Sequence, residues 1–376
     1  MRYIGSKQAL SKSIVQAIGN QALVNGTVAD LFAGTGAVAR ELKRVGFAVT
    51  AADLLVFPFV LQRAYIQLNE CPSFSRLLPH LWAQHPRQGT LFLPSDAMRH
   101  EANTAKVIEH LNSLPGYEGF IFRNYTPEGT EGKQFVRSYF RGENGKQIDA
   151  VFHQIREWCR HSLLSEDEYY FLLASALEAV PLVANTLGTF GAFKKGPWEV
   201  RAVKPYCLNA PRLITSHRTN RAIHGAANDV VNDIVCDVLY LDPPYNNRQY
   251  AEYYHLLESL AEGSEPEIGG VTGKPLGLRR LSRYCTRPGA REQLTELIAH
   301  AQTRHIFLSY SDDGLLTSEE IAEILSQRGT PSQPLMLAEH RRYRSDRDRE
   351  AEGDRKRKYK ENRTVKEWLY HVSVTR

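Results

Sequence analysis

Apolar and polar positions along this chain change period repeatedly, and the changes divide it into strands and helices. Residues 235–241 are apolar except for Asp237, the pattern of a strand buried on both faces, as in a parallel sheet. A shorter strand starting at Val28 runs into Gly34-Thr35-Gly36, after which Ala37, Val38, Ala39, Leu42 and Val45 recur at helical spacing. A second strand is predicted over 47–53, and Leu10, Ile14, Val15, Ala17 and Ile18 mark a helix behind a glycine-containing turn. Residues 55–115 are helical in pattern, and further helices are predicted over 148–159, 165–185, 250–261 and 291–302. Thr317-Ser318-Glu319-Glu320 matches a capping box for a helix through Leu325. Late strands are predicted over 306–310, 335–338 and 368–374. Strands alternating with helices across glycine turns predict an α/β fold with a mostly parallel sheet and helices on both faces.

Length and composition refine this outline. A chain of 376 residues accommodates two domains, or one large domain carrying an insertion. From 116 to about 224 the composition shifts, with aromatic and basic residues interleaved, as in Phe122-Arg123 and Phe135-Val136-Arg137. Within this span, residues 186–196 form a loop of glycines, Phe190, Phe193, Lys194 and Lys195. Lysines answer phosphates, glycines admit a partner to the backbone and rings can stack or wedge, so the loop is a candidate DNA contact. Residues 262–288, rich in glycine, proline and arginine, are predicted to be a mobile loop near the substrate. The net charge of +5 permits a polyanionic partner, and the basic runs 341–344 and 355–360 are further candidates for phosphate contact. Five dispersed cysteines form no Cys-x-x-Cys pair, so buried free thiols are expected, with neither a zinc site nor a disulfide framework. No apolar run of transmembrane length and no signal-peptide pattern is present, which makes the cytoplasm the expected compartment.

The candidate chemistry gathers at strand ends. After the apolar run 235–241 come Asp242-Pro243-Pro244-Tyr245. The two prolines fix two φ angles and remove two donors, leaving the carbonyls of Asp242 and Pro243 without local partners. An acceptor cluster beside the Tyr245 ring suits a planar group with an exocyclic amine, such as adenine N6. At the other site, Asp53 closes the second strand 17 residues beyond Gly36. That is the distance at which a nucleotide-binding βαβ unit presents a carboxylate to ribose hydroxyls. The third glycine of the dinucleotide fingerprint is missing, which favours a nucleoside cofactor smaller than NAD.

In this order, Tyr3-Ile4-Gly5-Ser6-Lys7, Asp30-Leu31-Phe32-Ala33-Gly34-Thr35-Gly36, Asp53 and Asp242-Pro243-Pro244-Tyr245 resemble the motifs of the Dam-like, alpha-group N6-adenine DNA methyltransferases. The resemblance extends through Asn246-Asn247-Arg248-Gln249-Tyr250 and residues 253–258 to the branch associated with type II restriction-modification systems. It implies a Rossmann-like, S-adenosylmethionine-dependent methyltransferase fold with an antiparallel last strand. A catalytic domain of 1–115 and 225–376 would surround a largely helical target-recognition insertion at 116–224. It further implies that Tyr3 and Lys7 serve the methionine end of S-adenosylmethionine, that Asp30, Phe32, Ala33, Gly34 and Gly36 line its pocket, and that Asp53 meets its ribose. The family's further acidic position, which contacts the cofactor adenine, falls here on Ala226-Ala227-Asn228, followed by Asp229. Either Asn228, through its side-chain oxygen, or Asp229, on a tighter turn, could take that role. Asp242, Pro243, Pro244 and Tyr245 would be catalytic, Lys194, Lys195 and Arg248 would contact double-stranded DNA, and no metal is required. A cognate restriction endonuclease would be a functional partner. An RNA adenine or DNA N4-cytosine methyltransferase uses similar amino-nitrogen chemistry, and a non-catalytic DNA-binding relative is the alternative of another class. A C5-cytosine mechanism is disfavoured because no cysteine follows a proline in the pattern it requires.

Overall fold

A computed structural model describes residues 4–21, 26–84, 95–278, 280–341 and 364–375. Tyr3 lies outside the described residues, as do most of the basic run 341–344 and all of 355–360. Among the described residues, nine strands form, β1 (Thr27–Asp30), β2 (Ala48–Asp53), β3 (Arg221–His224), β4 (Val235–Leu241), β5 (Ile268–Gly269), β6 (Lys274–Pro275), β7 (Gln302–Ser311), β8 (Leu335–Arg341) and β9 (Thr364–Ser373). Seven of them make one sheet in the order β3-β2-β1-β4-β7-β9-β8, and β5 and β6 form a separate antiparallel pair. The first five strands of the large sheet are parallel, whereas β9 runs antiparallel to both β7 and β8. The chain therefore winds outward in one direction from β1 through β2 and in the other from β4 through β7. The crevice at the carboxyl ends of β1 and β4 is the topological switch point, where α/β sheets bind ligands.

Side-chain alternation explains why both faces of the sheet are covered. On β4, Val238 and Tyr240 pack on one face with Ile14 and Ile18 of helix Ser11–Gln21 and with Leu42 of helix Ala37–Arg44. Leu239 and Leu241 pack on the other with Leu294 and Ile298 of helix Arg287–His300 and Ile321 of helix Ser318–Ser326. Only the start of β4 departs from the predicted two-sided burial, Val235 being 77% exposed. The capping box at Thr317 and Glu320 forms as expected. The helix predicted over 250–261 is interrupted at Tyr254 into Tyr250–Tyr253 and His255–Glu262. That predicted over 165–185 ends at Ala179, one residue before Val180-Pro181, since proline cannot continue the backbone ladder.

The insertion boundaries drawn from composition do not follow the packing. Arg221–His224, inside the span 116–224, forms β3 of the main sheet. Helices Gly142–Arg160 and Glu166–Ala179 share one apolar core with Phe57, Leu61, Leu77, Leu111, Leu256 and Leu257. A change in surface composition reports what faces solvent, and apolar contacts run across it. Nor are the cysteines uniformly buried: Cys285 is, but Cys159 and Cys207 are exposed because they lie on solvent-facing positions.

Candidate active site

The glycine turn after β1 is shaped by its dihedral angles. Gly34 and Gly36 have φ of 50° and 78°, the left-handed region that side chains disfavour, and Gly36 immediately precedes helix Ala37–Arg44. The amide of Gly34 donates to Asp53 Oδ2 at 2.9 Å, and that of Leu55 donates to Asp53 Oδ1 at 3.0 Å. Asp53 is thereby fixed at the mouth of β2. Burial pushes its carboxyl up to about 6 against these backbone donors, which favour the ionised form.

A cavity of about 380 Å³ opens from Asp53 toward Asp242 and Pro244, with Ala226, Asn228 and Asp229 on its wall. The ring of Phe32 meets Tyr284 edge-on at 5.1 Å on one side of it. Asn228 is engaged elsewhere: its Oδ1 accepts from the Tyr284 hydroxyl at 2.8 Å, while its Nδ2 donates to Gln293 O and Glu296 Oε2, both at 3.0 Å. Asn228 thus braces Tyr284 through one lone pair of its side-chain oxygen while lining the cavity. Asp229 lies exposed beside it on the cavity wall. Within the segment 262–288, expected to be mobile, Arg280 to Tyr284 line the same cavity and are held by side-chain contacts. Ser282 and Gln249 exchange two hydrogen bonds of 2.8 and 2.9 Å, and Arg280 pairs with Glu258 at 3.1 Å and with Glu262.

Beyond the cavity, the N-terminal turn folds back over β4. The amide of Ile4 donates to the Tyr254 hydroxyl at 2.7 Å, and Gly5 takes φ 70° so close to Tyr250 that a Cβ would meet its hydroxyl at 2.9 Å. Lys7 is consequently buried, at 5% exposure, with its Nζ 3.1 Å from Asp242 Oδ1 and 3.3 Å from Glu367 Oε2. The same ammonium stands 5.3 Å from the centre of the Tyr245 ring. Lys7 also borders a narrow recess with Asp30, Phe32, Ala33 and Gly34, so it touches the region expected for the methionine end as well as Asp242, the acid expected to be catalytic.

The electrostatics are those of an acid-rich buried cluster. Burial disfavours the Lys7 ammonium, but the charges of Asp242 and Glu367 outweigh that effect and hold its pKa above the ordinary value. Burial pushes Asp242 up to about 6, opposed by Lys7. Asp30 is raised well above the usual carboxylate range by burial and then by the charge of Asp242, and its Oδ1 is buried without a hydrogen-bond partner. Pro243 is buried, and the Tyr245 ring, two residues on, meets Tyr310 edge-on at 6.2 Å. Two participants were missed in the sequence. Glu367 precedes the segment expected to be a strand, and Tyr284 sits within the segment expected to be mobile.

The expected DNA-contact residues separate. Lys194 is half-buried and pairs with Glu199 at 2.7 Å, whereas Lys195 and Arg248 are exposed. Phe190 is buried against Tyr139 and Phe140, and Phe193 packs edge-on against Tyr139 at 5.1 Å. These contacts hold both rings against Tyr139.

The sheet order, the glycine turn and the carboxylate at the end of β2 define a Rossmann-like α/β protein with a cavity at its switch point. Residues 3–324 match the D12 class N6 adenine-specific DNA methyltransferases, and the chain belongs to that family. It is 35% identical over 354 residues to the type II methyltransferase M.FokI of Planomicrobium okeanokoites, covering 93% of this chain and 51% of that protein. It is 33% identical over 332 residues to the modification methylase StsI of Streptococcus sanguinis, covering 87% and 46% respectively. To the type II methyltransferase M.NlaIII of Neisseria lactamica it is 36% identical over 351 residues, covering 92% and 93%. The chain thus spans about half the length of the first two relatives and nearly all of the third. Among the described residues, no helix is long and apolar enough to cross a membrane.

Proposed function

We propose that this protein transfers a methyl group from S-adenosylmethionine to N6 of adenine in duplex DNA, as the protective partner of a restriction endonuclease. The observation that carries the reading is the Asp242 carboxylate at the carboxyl end of β4, held by Lys7 at 3.1 Å and bordering the cavity that Asp53 also lines. The chain's residues fit the methyl donor. The unpartnered Asp30 Oδ1 suits its cationic amino acid end, and the Asp53 carboxylate, fixed by two amides, suits a pair of ribose hydroxyls. Asp229 on the cavity wall suits the exocyclic amine of its adenine. When bound, S-adenosylmethionine supplies an electrophilic methyl on a sulfonium.

With Oδ1 given to Lys7, Asp242 presents its other oxygen to one amino hydrogen of the target adenine, and the Pro243 carbonyl takes the other. This localises the nitrogen lone pair and orients it for an in-line displacement. Below about pH 6 the Asp242 carboxyl is protonated, loses acceptor capacity and orients the amine less well. Tyr245 offers its face to the base, which must leave the helix because its amino group is otherwise paired. The proton shed by the amine passes to Asp242 or to water.

Asp242→Ala tests this reading with labelled donor and duplex DNA. Methyl transfer falls by roughly two orders of magnitude or more, with far-ultraviolet dichroism unchanged, since mispositioning a reacting group costs at least that much. Near-normal transfer by the variant would sink the assignment.

A further inference from the structure

Glu367 is absent from every motif the sequence offers, yet it is the second carboxylate on Lys7. It lies on β9 at the register position opposite Ser311, where the antiparallel strand passes the carboxyl end of β7. It shares a sheet face with Val365 and Leu369, both buried, and is itself 6% exposed. The pairing of β8 with β9 slips by one residue between Met336 and Ala338, opposite Trp368 and Glu367. Bulges of this kind occur beside active sites, where they re-aim local structure. A buried carboxylate among apolar neighbours is costly unless it is paired, and Glu367 is paired with Lys7 at 3.3 Å.

We propose that Glu367 is a positioning residue for the methyl transfer: it draws the Lys7 ammonium to the β9 side of Asp242, so that one cation is shared between two carboxylates and Asp242 remains a strong hydrogen-bond acceptor. The inference rests on the methyltransferase reading for its catalytic consequence, but not for its electrostatic one. Among the described residues, the charges acting on Asp242 are Lys7 from the N-terminal turn and Glu367 from β9, while Asp30 from β1, Tyr240 from β4, and Tyr245 and Tyr250 after β4 feel the charge of Asp242 in turn. Lys7 is the one cation among them, so how it is divided between Asp242 and Glu367 governs the basicity of Asp242. Without the Glu367 charge, Lys7 is given wholly to Asp242. Asp242 then becomes a weaker base and a poorer acceptor for the adenine amine.

Glu367→Gln keeps the shape and removes the charge, whereas Glu367→Asp keeps the charge and shortens the side chain. The Asp242 carboxyl is titrated by carbon-13 resonance in the wild type and both variants, with its signal identified through Asp242→Asn. In Glu367→Gln its midpoint moves down by about one unit, and in Glu367→Asp it stays near the wild-type position. The acidic limb of the rate profile on duplex DNA moves in parallel, and kcat falls about tenfold in Glu367→Gln with KM for DNA within about twofold, as loss of orientation alone dictates. An unmoved Asp242 midpoint in Glu367→Gln would overturn the proposal. So would a rate profile in which Glu367→Gln matches the wild type while Glu367→Asp is damaged, since packing would then be the role of this residue. If no methylated base appears with the wild type at any pH, the methyltransferase reading fails, and the titration still decides whether Glu367 tunes Asp242.

Discussion

Replacing Asp53 by alanine separates its hold on the glycine turn from the ribose contact proposed for it. Its oxygens accept from the amides of Gly34 and Leu55 at 2.9 and 3.0 Å, and it borders the cavity of about 380 Å³. Toward the fold, the substitution strands two amides in a partly buried turn, a loss of roughly 1–3 kcal/mol for each amide that water does not reach. Toward the ligand, it removes two charge-assisted hydrogen bonds to ribose hydroxyls. At about 1.5 kcal/mol each, the low end for bonds to a charged group, the loss is about 3 kcal/mol, or about 150-fold in Kd. Isothermal titration of S-adenosylhomocysteine at pH 8, where the wild-type carboxyl is ionised, reads the second loss, and a thermal melt of the free protein reads the first. The pH dependence distinguishes them further. Burial holds the Asp53 pKa at about 6, so wild-type affinity declines as pH falls through 6, and the alanine variant lacks that decline. Binding by Asp53→Ala within about threefold of the wild type at pH 8 would refute the ribose assignment, whatever happened to the melt.

Two further predictions concern surface charge and buried acid. Lys195→Ala lowers the salt slope of DNA binding by about one phosphate contact while Lys194→Ala changes it little, because Lys194 is already paired with Glu199; anisotropy across a sodium chloride series reads both, and an unchanged slope in Lys195→Ala removes the loop from the interface. Asp149 accepts the amides of Ile121 and Phe122 at 2.9 and 2.8 Å, and burial pushes its carboxyl up to about 7. A folded pKa raised above the unfolded value of 3.8 means that the native state binds the extra proton, so this group's contribution to stability declines as pH rises from about 4 to 7 and levels off above. The melting temperature of the wild type relative to Asp149→Asn therefore falls across that window, and a constant difference would contradict the assignment.

How much of this was legible in the sequence differs residue by residue. The strand at Val235–Leu241 was readable because apolar residues fill both parities, and Asp53 because a βαβ unit fixes its distance from the glycines. Glu367 was not, since Lys366 and Glu367 break the apolar pattern and the strand was expected to begin at Trp368; its place beside Lys7 comes from pairing with β7, a long-range fact. β3 escaped notice because it has four residues at the sheet edge, with Arg221 and His224 exposed. For Asn228, the sequence offered an amide of the right type at the right place, but could not show that Tyr284, 56 residues onward, would donate to its oxygen. Phe190 and Phe193 likewise looked suited to DNA until packing placed them against Tyr139. Residue type indicated the chemistry in each case, and the partner decided how it was used.

The central claim is tested most directly by incubating the protein with duplex DNA and methyl-labelled S-adenosylmethionine, digesting the DNA to nucleosides and identifying the labelled one by mass spectrometry. The account predicts label in N6-methyldeoxyadenosine, dependent on Asp242. Label in N4-methyldeoxycytidine, or transfer to RNA in preference to duplex DNA, would contradict it, as would DNA binding with no transfer at all.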